Sequence, residues 1–184
     1  PGVLWEPFGI TSTEQVFVSD NHLVVFGGDG GSSIRTVGVL LRPAASFWGS
    51  SCSIELVDTS DVAGVGSFSQ TKLGLEDRAR RWEFYEITVA DGFLGVGIGY
   101  PQQPRYLGVA PFNPATMRFL RMREANGTVF FEYSADGGSY TLAYSASVPD
   151  GGNPADIYCY LGMYIENPTR PGPRIVFDNF NLPR

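Results

Sequence analysis

The most restrictive stretch of this sequence runs from Phe119 to Ser134. Asn126-Gly127 lies at its centre, and this dipeptide is the preferred occupant of a two-residue type I′ turn, where both residues need positive φ. Placing Ala125 opposite Thr128 puts Met122 opposite Phe131 and Leu120 opposite Tyr133, an apolar face that Val129 extends. The other face pairs Arg121 with Glu132, a cross-strand ion pair that a one-residue slip would lose. Turn chemistry and side-chain alternation thus agree independently on a β-hairpin. Asp136-Gly137-Gly138 follows and leads into a further strand from Ser139 to Tyr144.

Strand signals dominate elsewhere as well. His22 to Phe26, Thr36 to Leu41, Ser53 to Val57 and Phe84 to Val89 are short β-branched or aromatic runs separated by glycine-rich turns. Ile157 to Glu166 alternates Ile157, Cys159, Leu161, Met163 and Ile165 with Tyr158, Tyr160 and Tyr164. Both its faces are semi-apolar, as in a central strand covered on each side or a sheet whose outer face meets a partner. Arg174 to Leu182 reads as a final strand. The one helix candidate, Leu73 to Phe84, is interrupted by Gly74 and mostly charged, so a short turn is the most it should hold. Strands without intervening helices, over 184 residues with no linker-like stretch, predict one all-β domain spanning 1–184, a two-sheet antiparallel sandwich or barrel.

Charge and cysteine usage narrow the function. A net charge of −6 argues against nucleic acid as a partner, because phosphate binding needs a basic surface. Arg78, Arg80 and Arg81 share their segment with Glu76, Asp77, Glu83 and Glu86, which reads as a self-neutralising face. No apolar run is long enough to span a bilayer as a helix, so no membrane insertion is expected. Pro1-Gly2-Val3-Leu4-Trp5 lacks the pattern of a secretory signal. A start at Pro is what removal of an initiator Met leaves, so synthesis in the cytoplasm is expected; a processed secreted chain can also begin at Pro, which keeps an extracellular location as the alternative. Cys52 and Cys159 are too few for a disulfide framework or a zinc site, which leaves two buried free thiols or one long-range disulfide.

The run Met117 to Gly137, with its L-R-M-R … V-F-F-E-Y-S-A-D-G hairpin pair, resembles the concanavalin A-like lectin/glucanase superfamily, and its laminin-G-like modules in particular. Val176-Phe177-Asp178-Asn179-Phe180 looks like the closing strand of such modules, which pairs beside the first, and Asn21 to Val25 resembles the opening strand. The resemblance implies a jelly roll of two packed antiparallel sheets. It leaves function open, since that fold hosts lectins, glycosidases, adhesion modules and virion parts.

The glucanase branch carries Glu-x-Asp-x-Glu, two of whose carboxylates act as nucleophile and acid about 5 Å apart. In Ile54-Glu55-Leu56-Val57-Asp58 the spacing of three sends Glu55 and Asp58 to opposite faces, and Glu83 and Glu86 share that defect. No enzyme is therefore expected. His22, the single histidine, reads as a surface or strand-edge residue beside Asp20 and Asn21. Relatives often hold Ca²⁺ through loop carboxylates. Asp29 and Asp136 are the weak candidates here, but an Asp among glycines normally stabilises a turn; no other cofactor is implied. Lectin-like modules also stack sugars on exposed rings: Trp48 is the first candidate, with Tyr100 and Tyr106 around Pro101 to Pro104 second. The alternative is that these rings cover the core or fill a subunit interface. Trp5 and Trp82 read as packing residues. Asn126-Gly127-Thr128 also matches a glycosylation sequon, which its hairpin role already explains.

Two functions are expected from different classes. One is a non-catalytic structural or adhesive component of a larger particle, such as a bacteriophage-type virion (capsid decoration, head fibre or tail-associated protein), with protein partners and a homo-oligomeric state. The other is a lectin-type carbohydrate-binding module with a glycan partner.

Overall fold

The computed structural model describes residues 4–10, 15–27, 35–42, 46–59, 68–77, 84–99, 105–148, 155–166 and 173–181. These residues form strands joined by turns, with no helix among them. In chain order the strands are β1 (Leu4–Phe8), β2 (Gln15–Ser19), β3 (His22–Phe26), β4 (Arg35–Arg42), β5 (Ser51–Asp58), β6 (Phe68–Asp77) and β7 (Phe84–Ala90). Then follow β8 (Phe93–Gly99), β9 (Arg105–Pro111), β10 (Phe119–Ala125), β11 (Thr128–Ser134), β12 (Thr141–Ser147), β13 (Ile157–Glu166) and β14 (Arg174–Asn181). They build two seven-stranded sheets. Sheet I runs β1-β4-β13-β6-β7-β8-β9 and sheet II runs β12-β11-β10-β5-β14-β3-β2. Every neighbouring pair is antiparallel.

The expected hairpin is present in the expected register: Met122 faces Phe131, Arg121 faces Glu132 and Leu120 faces Tyr133. Asn126 and Gly127 take φ of 53° and 75°, as a type I′ turn requires. Arg121 Nε donates to Glu132 at 2.7 Å, and Arg123 joins the same carboxylate at 3.2 Å. β14 pairs with β3, the segment that resembled an opening strand, although β1 and β2 precede it.

One expectation is overturned. Residues 73–77, read as part of a charged turn, belong to β6, paired with β13 on one side and β7 on the other. Thr71, Leu73 and Leu75 face inward and are buried, while Gln70, Lys72 and Gly74 alternate with them on the outer face. The polar outer residues hide the strand signal because they are buried by a second layer rather than by the core.

The core lies between the sheets. Leu73, Leu75, Leu161 and Met163 from sheet I meet Ile54, Leu120, Phe131 and Phe177 from sheet II, all nearly or fully buried. Cys52 and Cys159 are also inside, as free thiols. Trp5 packs edge-on against Phe180 at 4.8 Å between ring centres, in keeping with its reading as a packing residue. Trp82 lies outside the described residues.

Glu124 sits on the inward face of β10, opposite Val129, where a charge should be costly. It is 3% exposed. One carboxylate oxygen accepts the Gly127 amide at 2.7 Å and the other the Gly49 amide at 2.5 Å. This ties the β10–β11 turn to the turn that carries Trp48. Outside sheet I, Tyr160 of β13 lies across β6 at Gly74, its register partner, and a Cβ there would fall within the Tyr160 ring.

Two stability measurements follow. Glu124→Ala leaves both amides without their charged acceptor and should cost about 2–4 kcal/mol in urea denaturation. Gly74→Ala should cost about 1–3 kcal/mol by overpacking, and that cost should largely vanish in a Tyr160→Ala background, as a double-mutant cycle would show.

Candidate functional site

The outward-facing residues of β13, β6, β7, β8 and β9 are set side by side by the ladder register. One row reads Tyr160, Gly74, Glu86, Gly97, Tyr106, and the next reads Gly162, Lys72, Thr88, Gly95, Gly108. A third begins Tyr164, Gln70, Ala90, Phe93. In the first row glycines separate the larger side chains, which lets the Tyr160 ring lie over Gly74, and in the second row the glycines stand at the ends.

Glu86 is the centre of this arrangement. Lys72 Nζ donates to its two carboxylate oxygens at 3.0 and 3.1 Å, and both side chains are less than 8% exposed. The Tyr160 hydroxyl donates to Oε1, and the Tyr106 hydroxyl is hydrogen-bonded to the same carboxylate. The Tyr106 and Tyr164 rings flank the ammonium, with their centres 5.7 and 5.4 Å from Nζ. An ion pair on the outside of a sheet is normally wet and weak. Here three tyrosines roof it, so desolvation is repaid by a charged partner, hydroxyl donors and two ring faces.

The phenols respond to this setting. Burial, then the Glu86 charge, push Tyr106 up to about 12. Burial and the Glu86 carboxylate raise Tyr160 as well, and Tyr164 is raised by burial and then by Glu166. All three stay neutral over the physiological range, as rings meant for apolar stacking and hydrogen-bond donation should.

Beside the ion pair lies an open depression of about 440 Å³, lined mainly by Gln70, Thr88, Phe93, Gly95, Tyr106 and Tyr164. Tyr106 is 51% exposed and Phe93 52%. A Cβ at Gly95 would stand 3.0 Å from Thr88 Oγ1 and 3.2 Å from the Leu107 carbonyl oxygen, so glycine keeps that part of the floor open. Two exposed rings over a floor with an amide and a hydroxyl form the surface a pyranose needs, one apolar face and a few directional polar groups.

The sequence-based candidates fall in different places. Tyr106 belongs to this depression. Trp48 is 49% exposed on the turn before β5, tied by Glu124 to the tip of sheet II, and does not line the depression. Tyr100 and Asp29 lie outside the described residues, as do Arg78, Arg80, Arg81 and Glu83. Asp136 is a turn residue: Oδ1 accepts the Gly138 and Ser139 amides at 2.8 and 3.0 Å and the Ser134 hydroxyl at 2.9 Å. Those bonds, the Ser139 amide first, hold its pKa below the ordinary value. Among the described residues no group of three His, Cys, Asp or Glu side chains converges to hold a metal ion. His22 lies 3.5 Å from Asp178, half-exposed at the edge of β3. Glu55 is buried on the outer face of sheet II, paired with Arg118 and hydrogen-bonded by Asn179. Lys72, Glu86, Gln70 and Thr88 were not singled out from sequence as site residues. The signal was their alternation with Thr71, Leu73, Ile87 and Val89.

No protein-family model matches the sequence, and no curated protein matches it. Among solved structures, a functionally unknown protein from Saccharomyces cerevisiae superposes with a TM-score of 0.64 at 14% identity, over 96% of this chain and 94% of that one. A Bacteroides ovatus GH16 protein of a mixed-linkage glucan locus, solved with an oligosaccharide product, gives 0.56 at 9% identity over 94% and 91%. The exoplasmic/lumenal domain of VIP36, solved with Ca²⁺ and Man3GlcNAc, gives 0.51 at 7% identity over 97% and 85%. Identities this low speak for the fold alone, and the fold is the concanavalin A-like jelly-roll sandwich.

Proposed function

We propose that this chain is a carbohydrate-binding module that holds a saccharide on the outer face of sheet I without cleaving it. The observation that carries this reading is the depression beside Lys72 and Glu86, walled by the exposed rings of Tyr106 and Phe93 and floored by Gln70 and Thr88. Two proteins of like fold were solved with glycans, a glucan product and Man3GlcNAc, which sets the first ligands to try. The non-catalytic part rests on charge. The outward positions Glu86, Thr88 and Ala90 of β7 hold a single carboxylate where Glu-x-Asp-x-Glu would carry three. Both oxygens of Glu86 are engaged by Lys72. Retaining hydrolysis needs a second carboxyl at about 5 Å, and the outward positions that follow Glu86 on β7 hold none.

A second reading, a particle-mounted module with protein partners, draws on the edges of the sheets. Val18 is 72% exposed on β2, Leu142 54% on β12 and Leu107 38% on β9, so apolar side chains stand on the outermost strands of the described sheets. Light scattering separates it from a free-standing lectin, since a mounted module forms a symmetric oligomer.

Calorimetric titration with mixed-linkage glucan oligosaccharides and Man3GlcNAc is the test. Tyr106→Ala should weaken binding about tenfold or more, Tyr106→Phe much less, and Trp48→Ala not at all. Failure of every glycan on a broad array to bind the native chain would end the proposal. So would product formation from a bound oligosaccharide that Glu86→Gln abolishes, which would make the chain a hydrolase.

The same site gives a pH dependence. Tyr106 is neutral up to about 12, against the ordinary 10.0, so affinity should be flat between about pH 6 and pH 9. Above pH 10 the unfolded chain releases the Tyr106 proton while the folded chain keeps it. Stability should therefore fall as pH rises from 10 to about 12. In alkaline absorbance titration, Tyr106→Phe should remove a late-titrating phenol.

A further inference from the structure

We infer that the depression on sheet I prefers saccharides that carry a protonated amine, and that Asp91 is the residue that makes the choice. The inference rests on the glycan-binding reading and extends it to the charge of the ligand. Among the described residues that line the depression, Asp91 alone carries a full charge at neutral pH. Lys72 and Glu86 lie beside it, but their charges neutralise each other under the tyrosines. A ligand therefore meets ring faces, the neutral polar groups of Gln70 and Thr88, and one carboxylate.

The local fold puts that carboxylate at the rim. Asp91 and Gly92 form the two-residue turn between β7 and β8, with φ of 48° and 76°, and the Ala90–Phe93 pair closes it. Asp91 is exposed there. Phe93, two residues on, faces outward and is 52% exposed. A ring and a carboxylate thus come from the same tight turn, and Tyr106 of β9 and Tyr164 of β13 complete the lining.

Positive charge suits this surface. Tyr106 and Tyr164 already flank one ammonium, that of Lys72, with their ring centres 5.7 and 5.4 Å from Nζ, so aromatic faces at this site hold a cation. Glu86 balances the Lys72 charge, so no net positive field opposes a second ammonium. The chain's net charge of −6 adds a long-range attraction. An amino sugar such as glucosamine matches these features: its C–H face stacks on an exposed ring while its ammonium meets Asp91. N-acetylation keeps the sugar ring and removes the charge. A carboxylated or sulfated sugar is repelled by the same Asp91.

The full chain is titrated by calorimetry with three series of equal length: deacetylated chitosan oligosaccharides, their N-acetylated counterparts, and mixed-linkage glucan oligosaccharides. At mildly acidic pH and low salt the amine series should bind about fivefold to tenfold more tightly than the other two, the sum of an exposed ion pair and a cation–ring contact. The gap should narrow as salt is added. Asp91→Asn keeps the turn, because Asn-Gly is the preferred pair for it. It should bring the amine series down to the affinity of the neutral ones and leave those unchanged. Tyr106→Ala should weaken all three, which separates binding in the depression from general attraction of a polycation to an acidic chain. Neutral oligosaccharides that bind as well as the amines would overturn the inference and leave the glycan-binding reading standing. So would an amine preference that survives Asp91→Asn or amine binding that ignores Tyr106→Ala. Failure of all three series to bind would remove the underlying reading and the inference with it.

Discussion

Everything in this molecule hangs on the two-residue period of β13 and β6. Successive side chains on a strand point to opposite faces, so Cys159, Leu161 and Met163 enter the core only if Tyr160 and Tyr164 leave it. The same holds for Leu73 and Leu75 against Lys72 and Gly74. A one-residue slip of either strand would place tyrosines against Ile54 and Phe177 and an ammonium in the interior. The core therefore fixes the outer face: burying the apolar set in one register sets Lys72, Glu86 and the tyrosines in place. The outer cluster in turn penalises every other register, because a displaced Lys72 or Glu86 would be a buried charge without its partner.

This coupling explains which parts of the structure were legible in the sequence. The β10–β11 hairpin could be read residue by residue because its two signals are local: a turn dipeptide with a steric requirement, and apolar positions two apart. β13 was legible for the same reason. β6 and β8 were not. In β8 the residues between Leu94, Val96 and Ile98 are glycines, so half of the alternation has no side chain and the strand signal is lost. In β6 the outward set includes Gln70, Lys72 and Gly74, and polarity of that kind normally marks water. It is buried here because Tyr160, Tyr106 and Tyr164 come from β13 and β9, far away in the sequence. The site was legible only to the extent that one of its residues, Tyr106, is an aromatic near a proline-rich stretch. Lys72 and Glu86 form a pair only after the β6–β7 register is known.

Glycine has an unexpected part in this. Two outward glycines of sheet I, Gly74 and Gly95, make room for a neighbouring ring or keep the floor bare. Gly74 lets Tyr160 cross β6 to reach Glu86, and a Cβ at Gly95 would press on the Thr88 hydroxyl. Conformational freedom is not the reason, since neither residue takes a positive φ. The reason is volume. A sheet with side chains at those positions would bury its ion pair under a flat aliphatic layer and present no depression.

The chemistry left over for a ligand is modest, and that has a consequence for how such a module would work. The ammonium, the carboxylate and two of the hydroxyls satisfy each other, so these charges are already paired before anything binds. Recognition then rests on ring stacking and on the polar groups of Gln70, Thr88 and Asp91, directional but few. A shallow site with two aromatic walls and the exposed Asp91 carboxylate among its lining residues disfavours anionic saccharides and gives weak binding per site. Weak sites become effective when several are presented together, because each further contact is made at a high local concentration. Sheet edges rich in exposed apolar residues, on β2, β9 and β12, are where a repeated array could be assembled. The glycan-binding and particle-mounted readings are therefore linked by affinity: the weaker the single site, the more its use depends on the edges.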